Sequence, residues 1–172
     1  MDTLNGDFRP VQDADAQVAA LLAMHHAAMR ATGPEQSCHV MTAQALRAAG
    51  AHVFALWDGD GEIRAVGALK PLRPGAAPEP LAGFGPVVEL KSMHVAAAHR
   101  GQGFGHALLS RLLTAARDMG ARGACLETGA SDPFAATRRL YGTQGFRICP
   151  PFADYHPDPL SVFMYRVLQA PA

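Results

Sequence analysis

Val87-Val88-Glu89-Leu90-Lys91-Ser92-Met93-His94-Val95, followed closely by His99-Arg100-Gly101-Gln102-Gly103-Phe104-Gly105-His106, is the stretch on which the reading of this chain turns. Its first half is dense in strand-forming residues and predicts one long strand over 87–95. Alternation puts Val88, Leu90 and Ser92 on one face and Val87, Glu89, Lys91 and Met93 on the other, unless a bulge shifts the register. Its second half opens a helix predicted over 102–119, with Phe104, Leu108, Leu112, Ala115 and Met119 as the apolar stripe and Gly120 as the stop. Gly101, Gly103 and Gly105 let the backbone approach a ligand closely. The amides of the first helical turn lack intrahelical partners and carry the positive end of the dipole. Strand, glycines and helix start together make an anion site suited to a pyrophosphate. A dinucleotide-binding G-x-G-x-x-G would need glycine at 106 or 108, where His106 and Leu108 stand. A P-loop would need Gly-Lys before Ser or Thr, which is absent.

Upstream of this unit, Phe8–Val11 reads as a short strand, and Asp13 starts a helix with Val18, Leu21, Leu22 and Met29 on one face. Thr32-Gly33-Pro34 breaks it. A weaker helix is predicted from about Ser37 to Ala49. His52–Trp57 and Ile63–Leu69 are strands joined by the hairpin turn Asp58-Gly59-Asp60-Gly61. Pro71–Pro86 is rich in Pro, Gly and Ala and reads as a long functional or mobile loop. Downstream come a strand at Gly123–Glu127 and a helix capped by Asp132-Pro133 that runs to about Tyr141. Gly142 and Gly145 end that helix, and a strand at Phe146–Cys149, a loop at Pro150–Pro159 and a final strand at Ser161–Leu168 follow. The expected fold is a mixed α/β sheet in one domain spanning 1–172, in the order β-α-α-β-β-β-α-β-α-β-β.

Composition narrows the partners. Fifteen basic residues balance fifteen acidic ones, and Lys70 and Lys91 are the only lysines, so no global field points to nucleic acid or a membrane surface. No apolar run approaches the ~20 residues of a membrane span. Met1–Arg9 is polar and acidic, unlike a signal peptide, and the expected location is cytoplasmic. Cys38, Cys125 and Cys149 are odd in number and lack C-x-x-C spacing, which indicates neither a disulfide framework nor a zinc site. Cys125 and Cys149 lie in apolar runs and read as buried structural thiols. His94, His99 and His106 flank the glycine motif without metal-ligand spacing, and no metal is expected.

At this point the sequence resembles the GNAT superfamily of N-acetyltransferases, and within it a small bacterial subgroup of undefined substrate. Arg100, Gly103 and Gly105 match the family's pattern of Gln or Arg, two residues, Gly, one residue, then Gly or Ala. Glu89–Val95 before it and Leu140-Tyr141-Gly142-Thr143-Gln144-Gly145-Phe146 after it match the flanking motifs in order and spacing. Leu126-Glu127-Thr128-Gly129, Pro151-Phe152-Ala153-Asp154-Tyr155 and Ser161-Val162-Phe163-Met164 resemble the subgroup. One position departs: many members carry Asn seven residues before the Tyr, where this chain has Phe134.

The resemblance implies an enzyme that moves an acetyl group from acetyl-CoA, the acyl donor, to a small-molecule or peptide amine. It implies a sheet splayed between its fourth and fifth strands, with acetyl-CoA between 89–95 and 123–128. Met93, His94 and Val95 would meet the pantetheine arm. Gln102, Gly103, Phe104, Gly105 and His106 would hold the pyrophosphate through backbone amides, with His106 near a phosphate or simply solvated, and Arg100 and Gly101 are cofactor-binding candidates beside them. A backbone amide at Val95 or beside it would serve the thioester oxyanion. Glu89 is the candidate base, or a strand carboxylate paired with Lys91 or an arginine; Tyr141 is the candidate acid, or an aromatic packed on its helix. The first two helices and the two proline-rich loops would shape the acceptor pocket. His25 and His26 would lie on that side or on the surface. Asp154, Tyr155, His156 and Asp158 make the second loop polar and suited to a cationic amine. A homodimer through the final strand is a further expectation. The alternative is a module that binds acyl-CoA without turnover.

Overall fold

A computed structural model describes residues 6–12, 15–32 and 42–168. The element order is β1 (Asp7–Pro10), α1 (Ala16–Thr32), α2 (Ala43–Ala48), β2 (His52–Trp57), β3 (Ile63–Pro71), β4 (Val87–Val95), α3 (Phe104–Asp118), β5 (Gly123–Gly129), α4 (Ala135–Thr143), β6 (Arg147–Cys149) and β7 (Ser161–Val167). The strands follow the order β1-β2-β3-β4-β5-β7-β6 in a seven-stranded mixed sheet. This is the anticipated element order. The expected helix starts at Asp13 and Ser37 lie outside the described residues.

The chain divides into two compact units, Met1–Leu69 with Lys91–Leu112, and Lys70–Leu90 with Leu113–Ala172. In the first unit β1, β2 and β3 form an antiparallel meander, with Phe8 opposite Leu56 and Phe54 opposite Gly67. Asp58 shapes the hairpin by accepting from the amides of Asp60 and Glu62. The Asp15 carboxylate caps α1, accepting from the amides of Gln17 and Val18 at 2.8 and 3.1 Å. Val18, Leu21 and Leu22 of α1 and Leu46 of α2 join Val53, Ala55, Trp57, Val66 and Ala68 in one core. Gly67 lets α3 come down onto the sheet. A methyl group there would lie 2.8 Å from Leu112 Cδ1 and 3.3 Å from Met93 Cγ.

The second unit holds the parallel pair, β4 with β5, in register from Val87↔Gly123 to Leu90↔Leu126. β7 runs antiparallel to β5, and β6 to β7. One face of this unit is covered by Leu81, Val87, Cys125, Cys149, Phe152 and Phe163.

Three expectations are corrected. Pro71–Pro86 does not hang free: Glu79–Leu81 forms a 3-10 turn, Leu81 is buried, and Ala76 O accepts from the Ala153 amide at 2.9 Å. Apolar side chains spaced among its prolines give it a core to join. The buried face of α3 is Phe104, Leu108, Leu109, Leu112, Leu113 and Ala116, broader than the stripe read from the sequence, while Met119 is exposed just past the helix end. Asp132 and Pro133 lie in a 3-10 turn before α4, and no side chain caps that helix.

Candidate active site

The glycine motif has the conformation its residues anticipate. Gly101 and Gly103 take φ of +73° and +88°, a region that side chains resist, and α3 starts at Phe104. Phe104 is buried and meets the His99 ring edge-on at 5.9 Å. The approach to the motif is pinned to β3, since the Ala96 amide donates to Arg64 O at 2.9 Å and the Arg64 guanidinium bonds both the His99 ring and Asp58. Gln102 donates its side-chain amide to Ala98 O at 3.1 Å. Helix N-terminus and glycine turns are therefore present together, held by a rigid strand. His106 lies exposed on the first turn of α3.

β4 carries the irregularity that alternation alone left open. Ser92 sits at φ +54°, a left-handed conformation in mid-strand, and its hydroxyl is buried without a hydrogen-bond partner. Such local cost concentrates where backbone must be redirected. The kink falls immediately before Met93, His94 and Val95, the segment expected to meet the pantetheine arm.

His94 and His25 meet at 3.1 Å between their Nδ1 atoms, with rings 4.9 Å apart. Arg100 lies on the other side, its Nη2 3.4 Å from His94 Nε2 and its Nε donating to Val95 O at 3.3 Å. An arginine only donates, so His94 Nε2 accepts. The proton of neutral His94 is then on Nδ1 and passes as a hydrogen bond to His25 Nδ1. Burial holds both imidazoles down to about 4, aided at His25 by His94, His26 and Arg100, and at His94 by Arg100. His25 is thus tied to the expected cofactor strand rather than left as a surface residue.

The second unit gathers the carboxylates. Glu89 is 3 % exposed and accepts from the Tyr155 hydroxyl at 2.6 Å. Its register partner on β5 is Cys125, whose thiol donates to Val88 O at 3.7 Å. Two residues along β5, Glu127 accepts from Ser161 Oγ at 2.6 Å. Burial and, secondarily, Glu127 push the Tyr141 phenol far above the ordinary tyrosine range. Burial and then Glu89 and Glu127 do the same to Tyr155. Tyr141 is buried and packs edge-on to Phe146 at 5.7 Å. Both expected catalytic residues, Glu89 and Tyr141, therefore belong to this unit.

Sequence reasoning gave no role to Glu127 and read Tyr155 merely as part of a polar loop. The signal for Glu127 was its alternation with Cys125, but assigning it to the face of Glu89 requires the β4–β5 register. Asp154 and Asp158, expected to attract a cationic amine, have local partners: Asp154 pairs with Arg73 at 2.7 Å, and Asp158 accepts from the Leu160 amide at 2.8 Å. Phe134 fills space beside β5, its ring so close to Gly129 that a methyl group there would lie 2.2 Å from Cδ2. Cys125 and Cys149 are buried thiols, as expected, with burial pushing the Cys149 thiol up to about 11. Cys38 lies outside the described residues. Among those residues no three His, Cys, Asp or Glu side chains form a metal-binding group, and no helix is long and apolar enough to cross a membrane.

Known proteins share this fold. The Klebsiella pneumoniae acyl-CoA N-acyltransferase structure superposes with a TM-score of 0.72 at 28% identity, covering 96% of this chain and 99% of its own. The structure of yncA, an acetyltransferase from Salmonella typhimurium with its cofactor acetyl-CoA, has the same fold, with a TM-score of 0.66 at 23% identity over 98% of this chain and 96% of its own. In sequence, the uncharacterized N-acetyltransferase YsnE of Bacillus subtilis is 35% identical over 154 residues, 88% of this chain and 93% of YsnE. The family description "Acetyltransferase (GNAT) family" matches residues 18–146, from the first turn of α1 through the glycine motif to the end of α4 and Phe146. With that span matched, the chain belongs to the GNAT acetyltransferase family and is an N-acetyltransferase.

Proposed function

We propose that the chain, acting as one domain over 1–172, transfers the acetyl group of acetyl-CoA to the primary amine of a small molecule or peptide by direct attack. The observation that carries this is the glycine-lined helix start, Gly101–Gly103 before Phe104, in the first unit, and the second unit holds the buried carboxylate of Glu89. The first suits a pyrophosphate, and the second suits proton removal from an amine. Arg100, Gly101, Gln102, Gly103, Phe104, Gly105 and His106 are assigned to the pyrophosphate, and Met93, His94 and Val95 to the pantetheine arm. The acetyl-CoA named with the Salmonella structure supports the choice of donor.

An alkylammonium with a pKa of ~10.4 costs on the order of 4–5 kcal/mol to deprotonate at neutral pH. Glu89 takes that proton. The amine nitrogen bonds to the thioester carbon, a backbone amide near Val95 receives the oxyanion, and the carbon–sulfur bond breaks. Tyr141 gives its proton to the departing thiolate, and the second proton that the nitrogen sheds as the amide forms restores the phenol. Burial keeps that phenol protonated across the working range and makes it a weak acid, so its proton leaves only as the one from nitrogen arrives. The balanced charge of the chain supports a compact acceptor rather than nucleic acid or a membrane.

Calorimetric titration with acetyl-CoA, native against Gly103→Val, tests the donor site. Valine resists φ near +88°, so binding is expected in the native chain and lost in the variant. Free-thiol release on adding primary amines then tests transfer. A folded native chain that neither binds acetyl-CoA nor releases thiol would overturn the proposal.

A further inference from the structure

Glu89 has an unusual setting for a group asked to accept a proton. It is 3 % exposed on a sheet face otherwise covered by Val87, Cys125, Phe152 and Phe163. A carboxylate in such surroundings loses water, and its charged form persists only where donors replace that water. The Tyr155 hydroxyl is such a donor, at 2.6 Å, within the range of a charge-assisted O–H···O bond.

Tyr155 is itself fixed. Its ring lies 5.1 Å from Phe152 and 5.4 Å from Phe163, both edge-on or tilted. Its amide donates to Phe152 O, and Ala153, at φ +50°, donates to Ala76 O. The Arg73–Asp154 ion pair ties the same turn to the 70–90 segment. The loop thus spends a strained residue and two tethers in presenting one phenol to one carboxylate. Burial and the charges of Glu89 and Glu127 keep that phenol protonated, so it donates at any working pH.

We propose that Tyr155 is a positioning residue of the acetyl-transfer reaction, holding the Glu89 carboxylate oriented and ionised for the incoming amine. This rests on the assignment of Glu89 as the base. The groups facing the pair are Cys125 and Glu127 from β5 and Tyr165 from the edge of the apolar cluster; the 70–86 segment contributes Leu72, Ala77 and Leu81.

The test is steady-state thiol release from acetyl-CoA, using the fastest acceptor among an alkylamine, an arylalkylamine and an amino-acid amide, across pH 5.5–9.5. Tyr155→Phe keeps the ring packing and removes the hydroxyl alone. Its kcat/KM should fall about tenfold on the acid limb of the profile, as that limb moves up by about one pH unit, and should approach the native value above it. The KM for acetyl-CoA should be unchanged. In a Glu89→Gln background the same substitution should have no further effect. A merely structural role would lower activity equally at every pH and would persist in that background; either result, or an unmoved acid limb, overturns the proposal. Native rates in Glu89→Gln alone would instead overturn the base assignment beneath it. Absence of thiol release from every acceptor would overturn amine transfer itself.

Discussion

His25 and His94 share one proton-bearing contact and act on stability in the same direction. Both titrate near 4 when folded and near 6.5 when unfolded, so between those values the unfolded chain binds more protons. The stability they contribute is full above pH 6.5 and is lost as pH falls toward 4. Calorimetric melting should show the midpoint dropping by roughly 5 °C or more over that interval, at about 2–4 °C per kcal/mol for a chain of this size. His25→Gln removes one titrating group and should flatten the drop, although Nδ1 of His94 loses its natural acceptor. An identical slope in the variant would mean that these imidazoles titrate freely in the folded state. The assigned tautomers also explain why Arg100 tolerates a histidine neighbour: it faces a lone pair rather than a second cation.

At the scale of elements, β5 and the turn before α4 are fitted to each other by one residue pair. Phe134 stands where many relatives carry Asn, and its ring occupies the volume of a Gly129 side chain. Gly129→Ala should therefore destabilise by about 2–3 kcal/mol or more, as overpacking does when the neighbour is a ring with little room to turn. Phe134→Asn shrinks the neighbour, and in that background Gly129→Ala should cost under about 1 kcal/mol. Denaturant melts of the two singles and the double form the cycle. Additive losses would show that the contact does not carry the cost. β4 makes the complementary point. Nothing in its alternating sequence demands a left-handed residue at Ser92, yet the kink there redirects the segment that includes His94, which reaches both His25 and Arg100.

At the scale of the whole molecule, stability and donor binding are linked. A ligand that binds the folded chain alone adds about 2.7 kcal/mol at one hundred times its dissociation constant. Acetyl-CoA at that excess should raise the melting midpoint by roughly 5–10 °C. Free acetate at the same concentration should not, since it lacks the pyrophosphate proposed for the Gly101–Gly103 turn. A thermal-shift series settles this without any acceptor. Equal shifts from both compounds would mean a nonspecific salt effect.

Local chemistry in the sequence determined the element order, the Asp58–Gly61 hairpin and the glycine-led start of α3, because each depends on neighbours a few residues apart. Periodicity and turn residues carry that information directly. The family itself was legible in the spacing of Arg100, Gly103 and Gly105 and of Tyr141 and Phe146. What covers Glu89 was not legible. Tyr155 is 66 residues away along the chain and reaches it through strand register, a packed aromatic cluster and two loop tethers. Glu127 beside Tyr141 and His25 on His94 were not legible either. Each of these contacts joins segments whose local patterns are silent about one another. Only the closing of the chain into a sheet with packed faces brings them together, and burial then sets the protonation of His25, His94, Tyr141 and Tyr155.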